Sequence, residues 1–296
     1  MTLTNSRNIA AQPDQRLAVV TGASGGMGRA TAALLAKDHG MKVYLIARNQ
    51  EKGQAAVDYV NQQSGRRDAE LVICDLASFD SIRAAAADLA ARCDHIDVLI
   101  NNAGVVTLRR EETEDGFERQ LGVNHLGHFL LSGLLLPLLQ KSDSARIIVV
   151  SSAAHKIGRM NYNDPGMTKG FRVWNAYGRS KLANLWFMKE LAGRLAGSSI
   201  TVNAVHPGAV ATQIGVDRKT GFGAFVHKLL RPFFLTSEQG STTAIYLATS
   251  TEAEGQTGQY YYRLQPAKAS ERADSVEEAQ RFWVWSEQAT GFRWDL

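Results

Sequence analysis

Leu17-Ala-Val-Val-Thr21 runs directly into Gly22-Ala-Ser-Gly25-Gly26-Met27-Gly28, and from Gly28 to Lys37 the apolar positions recur at helical spacing. A short β-branched run, a glycine-rich turn and a helix form the opening arm of a βα unit. Glycines allow the tight turn and let backbone N–H groups approach a pyrophosphate resting on the positive end of the helix dipole. A glycine-rich stretch alone is often only a loop; its place between the first strand and the first helix carries the reading. Gly22, Gly26 and Gly28 space as G-x-x-x-G-x-G rather than G-x-G-x-x-G, and Ser24, Gly25 and Met27 complete the turn.

Outward from this unit the pattern repeats. Strand-like runs stand at 17–21, 42–46, 70–74, 98–100, 146–150 and 200–205, and helical stretches between them include 28–37, 81–91 and 176–195. Strand and helix in alternation mean βαβ units, with a parallel sheet buried on both faces by helices. The expected fold is therefore α/β: one Rossmann-type doubly wound parallel sheet of about seven strands. Residues 16–296 are read as one domain after a polar tail, 1–15, expected to be flexible. Within it lie an insert at 153–174, a glycine-rich, basic and aromatic segment at 211–236 with the character of a lid, and a C-terminal helix at about 274–290. Ser78 and Ser237 are expected helix caps.

The chain has 296 residues, and 33 Lys plus Arg against 29 Asp plus Glu leave a net charge of 33 − 29 = +4. With 45% hydrophobic and 21% charged residues, disorder and repetitive fibrous structure are excluded. Cys74 and Cys93 are too few for a disulfide framework and fit a reducing, cytoplasmic setting. The basic residues are scattered, and Arg66-Arg67 and Arg109-Arg110 have acidic neighbours, so no nucleic-acid stripe is expected. The longest apolar stretch, 130–139, falls short of the ~20 residues of a membrane span, so no integral membrane segment is expected. His125 and His128, three apart, lack a third ligand at metal-site spacing, so no metal is expected and packing is the reading. All five tryptophans follow residue 173; Trp186 reads as core, whereas the C-terminal Phe282-Trp-Val-Trp stretch fits either core or a ligand cover.

Two further clusters bear on chemistry. The second strand ends Ile46-Ala47-Arg48, with a cation and no carboxylate where a dinucleotide's second ribose is held, which favours a 2′-phosphate and so NADP(H). At Tyr177-Gly-Arg-Ser-Lys181 a phenol and an amine are four apart and share a helix face. A phenol of pKa near ~10 needs a neighbouring cation to work as an acid or base near neutrality, and Lys181 is placed to supply it.

These clusters keep company with Asn101-Asn102-Ala103-Gly104, Val123-Asn124-His-Leu-Gly127, Val150-Ser151-Ser152 and Pro207-Gly208. The ordered set, over Arg16 to Tyr262, resembles the short-chain dehydrogenase/reductase family. The resemblance implies that Tyr177 is the acid/base and that Lys181 holds the nicotinamide ribose and lowers the tyrosine pKa. It implies that Ser152 bonds the substrate oxygen and that Asn124 holds a relay water; spacing alone leaves Ser151 and Ser152 open. Asp75 and Leu76 match the adenine pocket, and Asn102, Ala103 and Gly104 the cofactor wall. Pro207, Gly208, Val210 and Thr212 match the segment at the nicotinamide and pyrophosphate. Pairing of the 175–195 helix between subunits, and so a homo-oligomer, is also implied.

Ser152 and Tyr177 are 177 − 152 = 25 residues apart, longer than is usual in the family. That insert, with Asp115-Gly-Phe-Glu118, Ser180-Lys-Leu-Ala-Asn184 and Trp285-Ser-Glu-Gln-Ala-Thr-Gly291, resembles the retinol dehydrogenase-like branch, near the light-dependent protochlorophyllide reductases. The expected activity is hydride transfer between NADP(H) and a hydrophobic aldehyde, ketone or alcohol. The alternatives are light-driven reduction of a tetrapyrrole, a silent NADP-binding regulator, and an epimerase or dehydratase. His155, just past Ser152, reads either as reaching the substrate side or as a loop histidine without a role.

Overall fold

The computed structural model describes residues 15–209 and 235–296. The expected 1–15 tail and 211–236 segment therefore fall almost wholly outside the described residues. Strands β1 (Leu17–Thr21), β2 (Lys42–Ala47), β3 (Ala69–Ile73), β4 (Val98–Asn101), β5 (Arg146–Val150) and β6 (Thr201–His206) match the six β-branched runs to within a residue at either end. Together with β7 (Tyr260–Tyr262) and β8 (Gln265–Pro266) they form one sheet in the order β3-β2-β1-β4-β5-β6-β7-β8. Every neighbour pair is parallel except β7 with β8. The sheet thus has eight strands rather than about seven. The extra strand returns through Arg263 and Leu264, both in left-handed backbone at φ 51° and 67°. Such a tight hairpin is usually announced by Asn or Gly, and here neither residue is present to announce it.

Helices α1 (Gly26–His39), α2 (Gln50–Ser64), α3 (Phe79–Arg92), α4 (Arg119–Leu139), α5 (Val173–Arg194), α6 (Ser237–Thr249), the short α7 (Glu271–Asp274) and α8 (Val276–Thr290) cover both faces. Alternation along β1 shows the division: Leu17 and Val19 point into the layer with α3, α4, α5 and α8, while Ala18 and Val20 point into the layer with α1, α2 and α6. Both layers are buried, which explains the continuous apolar strands.

Ser78 caps α3 as expected, accepting from the Ser81 N–H. At α6 the cap is Thr236 rather than Ser237: its side chain accepts from Gln239 N while the Gln239 side chain accepts from Thr236 N. That reciprocal box needs a glutamine three residues on, and only Thr236 has one. Helix α4 contains a π turn at Gly122–Leu126, so it runs well ahead of the apolar 130–139 stretch. By length and composition α4 could cross a bilayer, and 89% of its apolar window is buried inside the fold. The π turn closes with Gly127 N donating to Gly122 O, and Asn124 lies within it.

Trp186 is buried, as expected, with its Nε1–H donating to Arg272 O at 2.8 Å. Phe282 and Trp283 on α8 are core residues too, packed against Phe129, Phe187 and Trp186. Helix α8 therefore lies along α5 and covers one flank of it.

Candidate active site

The strand order reverses at β1, whose neighbours β2 and β4 lead in opposite directions. A crevice opens at the carboxyl ends of the strands on either side of such a reversal. All the motifs collect there: the glycine turn after β1, Asn102–Gly104 after β4, Ser151-Ser152 after β5 and Pro207-Gly208 after β6.

The turn is built by close backbone approach. A Cβ on Gly28 would lie 2.5 Å from both Gly22 O and Asn102 Nδ2, and Gly22 sits at φ 65° against the Ala103 backbone. Thr21 fastens the neighbouring loop: its Oγ1 accepts from Asn102 N at 2.8 Å and Ala103 N at 2.9 Å, and its carbonyl accepts from Asn102 Nδ2 at 2.7 Å. Helix α1 begins after Gly25 with no side-chain cap and no acidic residue in its first turn. A Cβ on Gly25 would have nothing within 4 Å. Its first N–H groups therefore face open space, which suits an anion. Arg48 is exposed at the end of β2 and has no ion pair among the described residues. Asp75 and Leu76 follow β3, with Asp75 Oδ1 accepting from Ala77 N. Gly208 is in left-handed backbone at φ 86°. Val210 and Thr212 lie outside the described residues.

Helix α5 brings Tyr177 and Lys181 onto one face. Lys181 Nζ is 5.6 Å from the Tyr177 ring centroid and donates to Val150 O at 3.1 Å. Burial pushes the Lys181 ammonium down to about 8. Burial also raises the Tyr177 phenol, and a hydrogen bond with the Ser152 side chain draws it partly back. Burial is the larger of these two effects. The two serines separate cleanly. Ser151 is buried with its Oγ donating to Lys181 O at 2.8 Å, whereas Ser152 faces Tyr177 and caps the 3-10 turn Ala153–Ile157.

Asn124 is fully buried. Its Oδ1 accepts from Val105 N at 2.7 Å, and its Nδ2 donates to Val105 O at 3.0 Å and Ser180 Oγ at 2.9 Å. Its carbonyl faces His128 Nδ1 at 3.0 Å, so that nitrogen carries the proton. His128 Nε2 then accepts from the Thr21 hydroxyl at 2.8 Å. His128 thus ties the π turn to the glycine turn, a link that histidine spacing does not announce. A Cβ on Gly104 would meet Lys181 Nζ at 3.5 Å and Asn124 Oδ1 at 3.6 Å. His125 turns the other way, to Ser286 Oγ at 2.8 Å.

His155 does not reach toward the substrate. It is fully buried, with Nδ1 2.7 Å from Ser152 O and Nε2 accepting from Ser270 N at 3.2 Å. The one-turn 3-10 segment folds its ring inward, beneath Ser152. Trp174, three residues before Tyr177, is 59% exposed and stands edge-on to the Tyr177 ring at 6.2 Å.

The sequence matches the family model for short chain dehydrogenases over residues 16–221. It is 38% identical to retinol dehydrogenase 12 of Mus musculus, over 95% of this chain and 88% of that protein. It is 40% identical to retinol dehydrogenase 14 of Mus musculus, over 92% and 85%. A crystal structure of a protein from Mycobacterium paratuberculosis superposes with a TM-score of 0.77 at 34% identity, covering 95% of this chain and 96% of that one. A structure described as a short chain dehydrogenase from Shigella flexneri, complexed with NADP, has a TM-score of 0.66 at 25% identity, covering 83% and 95%. The chain belongs to the short chain dehydrogenase family of oxidoreductases, in its retinol dehydrogenase-like branch.

Proposed function

We propose that the protein is an NADP(H)-dependent oxidoreductase that interconverts a hydrophobic aldehyde or ketone and its alcohol, with Tyr177 as the acid/base. The observation that carries this is the convergence of Ser152, Tyr177 and Lys181 at the strand ends, beside an uncapped helix N-terminus. The residues present fit the cofactor. The turn from Gly22 to Gly28 would receive the pyrophosphate, Arg48 the 2′-phosphate, Asp75 and Leu76 the adenine, and Asn102 to Gly104 the wall beside it. Lys181 would hold the ribose, with Pro207 and Gly208 near the nicotinamide. The NADP complex of the Shigella flexneri relative agrees with the choice.

When bound, the nicotinamide gives or takes the hydride. Everything else falls to the chain. The Ser152 hydroxyl orients the substrate oxygen, and Tyr177 gives that oxygen its proton in reduction or takes it in oxidation. A buried phenol keeps its proton, which suits the donor. The Lys181 ammonium steadies the phenolate once the proton has left. Asn124 would hold the water through which the proton is replaced. The retinol dehydrogenases among the relatives support a hydrophobic alcohol or carbonyl substrate.

The test is NADPH and NADH oxidation with a panel of hydrophobic aldehydes and ketones. A higher kcat/KM with NADPH is expected. Preference for NADH, or no turnover on any carbonyl, overturns the proposal.

A further inference from the structure

Five successive residues of α5 are each fixed from a different direction. Tyr177 faces Ser152. Gly178 meets the 153–158 turn so closely that a Cβ there would lie 2.7 Å from Ala154 O. Ser180 Oγ accepts from Asn124, and Lys181 reaches Val150 O. Arg179, between the two residues of the proposed chemistry, points about 200° away from each around the helix.

Arg179 has a side chain only 1% exposed, and its Nη2 donates to Glu118 Oε2 at 3.0 Å, on a carboxylate with no exposure at all. Glu118 caps α4: Oε1 accepts from Gln120 N at 2.9 Å and Oε2 from Leu121 N at 3.0 Å. Arg179 Nη1 donates to Pro165 O at 2.5 Å, within the insert. One guanidinium therefore joins the helix of Tyr177 and Lys181, the helix of Asn124, and the insert. Removing two opposite charges from water is costly, and stability alone gives little reason to spend it here.

We propose that Glu118 and Arg179 are positioning residues that set the rotation of α5, and with it the alignment of Tyr177 against Ser152, while anchoring the insert through Pro165. This rests on the proposed function, since alignment of Tyr177 matters only if Tyr177 transfers the proton. A planar guanidinium gives two directed bonds at a fixed angle, and those two bonds lock a rotation as well as a distance. The cofactor turn is fastened separately, through Thr21 and Asn102.

The decisive variant is the pair Glu118→Gln with Arg179→Met, which leaves no unpaired buried charge and keeps an amide oxygen to cap α4. Its kcat in NADPH-dependent carbonyl reduction is expected to fall at least about tenfold. NADPH affinity, measured by fluorescence titration, should stay within about twofold, because the turn is untouched. Amides of 159–172 in the cofactor-free chain should exchange hydrogen faster than in the parent. A folded double variant with parental kcat and parental exchange overturns the proposal. Should that variant not fold, Arg179→Lys decides: it keeps the charge but loses the fork, and parental kcat again overturns the proposal, while a loss at unchanged NADPH affinity supports it. An inactive parent would instead refute the proposed function, and the exchange measurement would still read the anchor.

Discussion

The crevice has two unlike walls. On the proposed cofactor side, from Thr21 to Gly28 and Asn102 to Gly104, position is set by backbone: positive φ at Gly22 and Gly26, and atoms so close that side chains are excluded. On the proposed substrate side, from Ser152 to Trp174, there is little regular structure, and side chains hold the chain in place. Arg110 Nε donates to Gly166 O, Arg179 to Pro165 O, and Arg272 to Gly158 O. A backbone-built wall offers one cradle and tolerates little change. A side-chain-built wall can be altered residue by residue while the sheet stays intact, which is how one fold serves many substrates.

The largest expected effect breaks the chemistry while sparing both walls. Tyr177→Phe removes the proton donor and keeps the ring that packs against Trp174. Turnover should fall about 10³-fold, within the usual range for loss of a general acid, with NADPH still bound. Turnover within tenfold of the parent would remove Tyr177 from the mechanism. Next comes a test of the rigid wall. Gly28→Ala places a methyl 2.5 Å from the Gly22 carbonyl, and that backbone oxygen cannot swing aside as a side-chain tip could. The expected cost is about 1–3 kcal/mol, read as a lower Tm and a weaker NADPH Kd. Parental values for both would mean the turn yields more readily than its geometry implies.

His128 sharpens the comparison through pH. Burial lowers it to about 4 from an ordinary 6.5, with the nearby Lys181 charge adding to the effect and the Asn124 carbonyl opposing it. Its folded pKa is depressed, so the unfolded chain binds the proton first as pH falls. The neutral form is secure above 6.5, and stability is lost progressively from 6.5 down toward about 4. A full shift of this kind is worth about 3 kcal/mol at the acid end. The check is the slope of unfolding free energy against pH for the parent and for His128→Gln. The variant should lose part of the slope between pH 6.5 and 4, and equal slopes would show that other groups carry it.

How far the sequence speaks follows the same division. Six of the seven parallel strands, the glycine turn and the Tyr177–Lys181 face are local patterns, since burial on both faces and helical spacing write themselves into neighbouring residues. What it conceals is long-range. His128 meets Thr21 across 107 residues, and Glu118 meets Arg179 across 61. Glu118 lay in a quoted motif, and Arg179 between the two residues of the Tyr-Lys pair, yet nothing local says that their charges are buried against each other. His155 stayed open for a related reason: nearness to Ser152 in sequence says nothing about which way a 3-10 turn faces. The β7–β8 hairpin was silent because its left-handed residues, Arg263 and Leu264, are types that rarely adopt that backbone.

The smallest effect concerns Arg48, which would act on the proposed cofactor through its exposed side-chain charge rather than through backbone. It is exposed beyond the last buried residue of β2, where water and salt weaken any charge pair, so its contribution to a 2′-phosphate is on the order of 1–2 kcal/mol. Arg48→Asp replaces attraction by repulsion and offers an acceptor to a bare 2′-hydroxyl. The ratio of kcat/KM for NADPH over NADH should therefore fall by about tenfold or more, with most of the change in KM. Because the proposed pyrophosphate contacts come from backbone N–H groups that the substitution leaves alone, kcat with saturating NADPH should stay near parental. A fall in kcat with both cofactors would mean that Arg48 braces the turn itself, and the side-chain and backbone parts of the wall would no longer be separable. An unchanged ratio would move recognition of the 2′-phosphate to another residue and leave the NADP(H) assignment resting on the relatives alone.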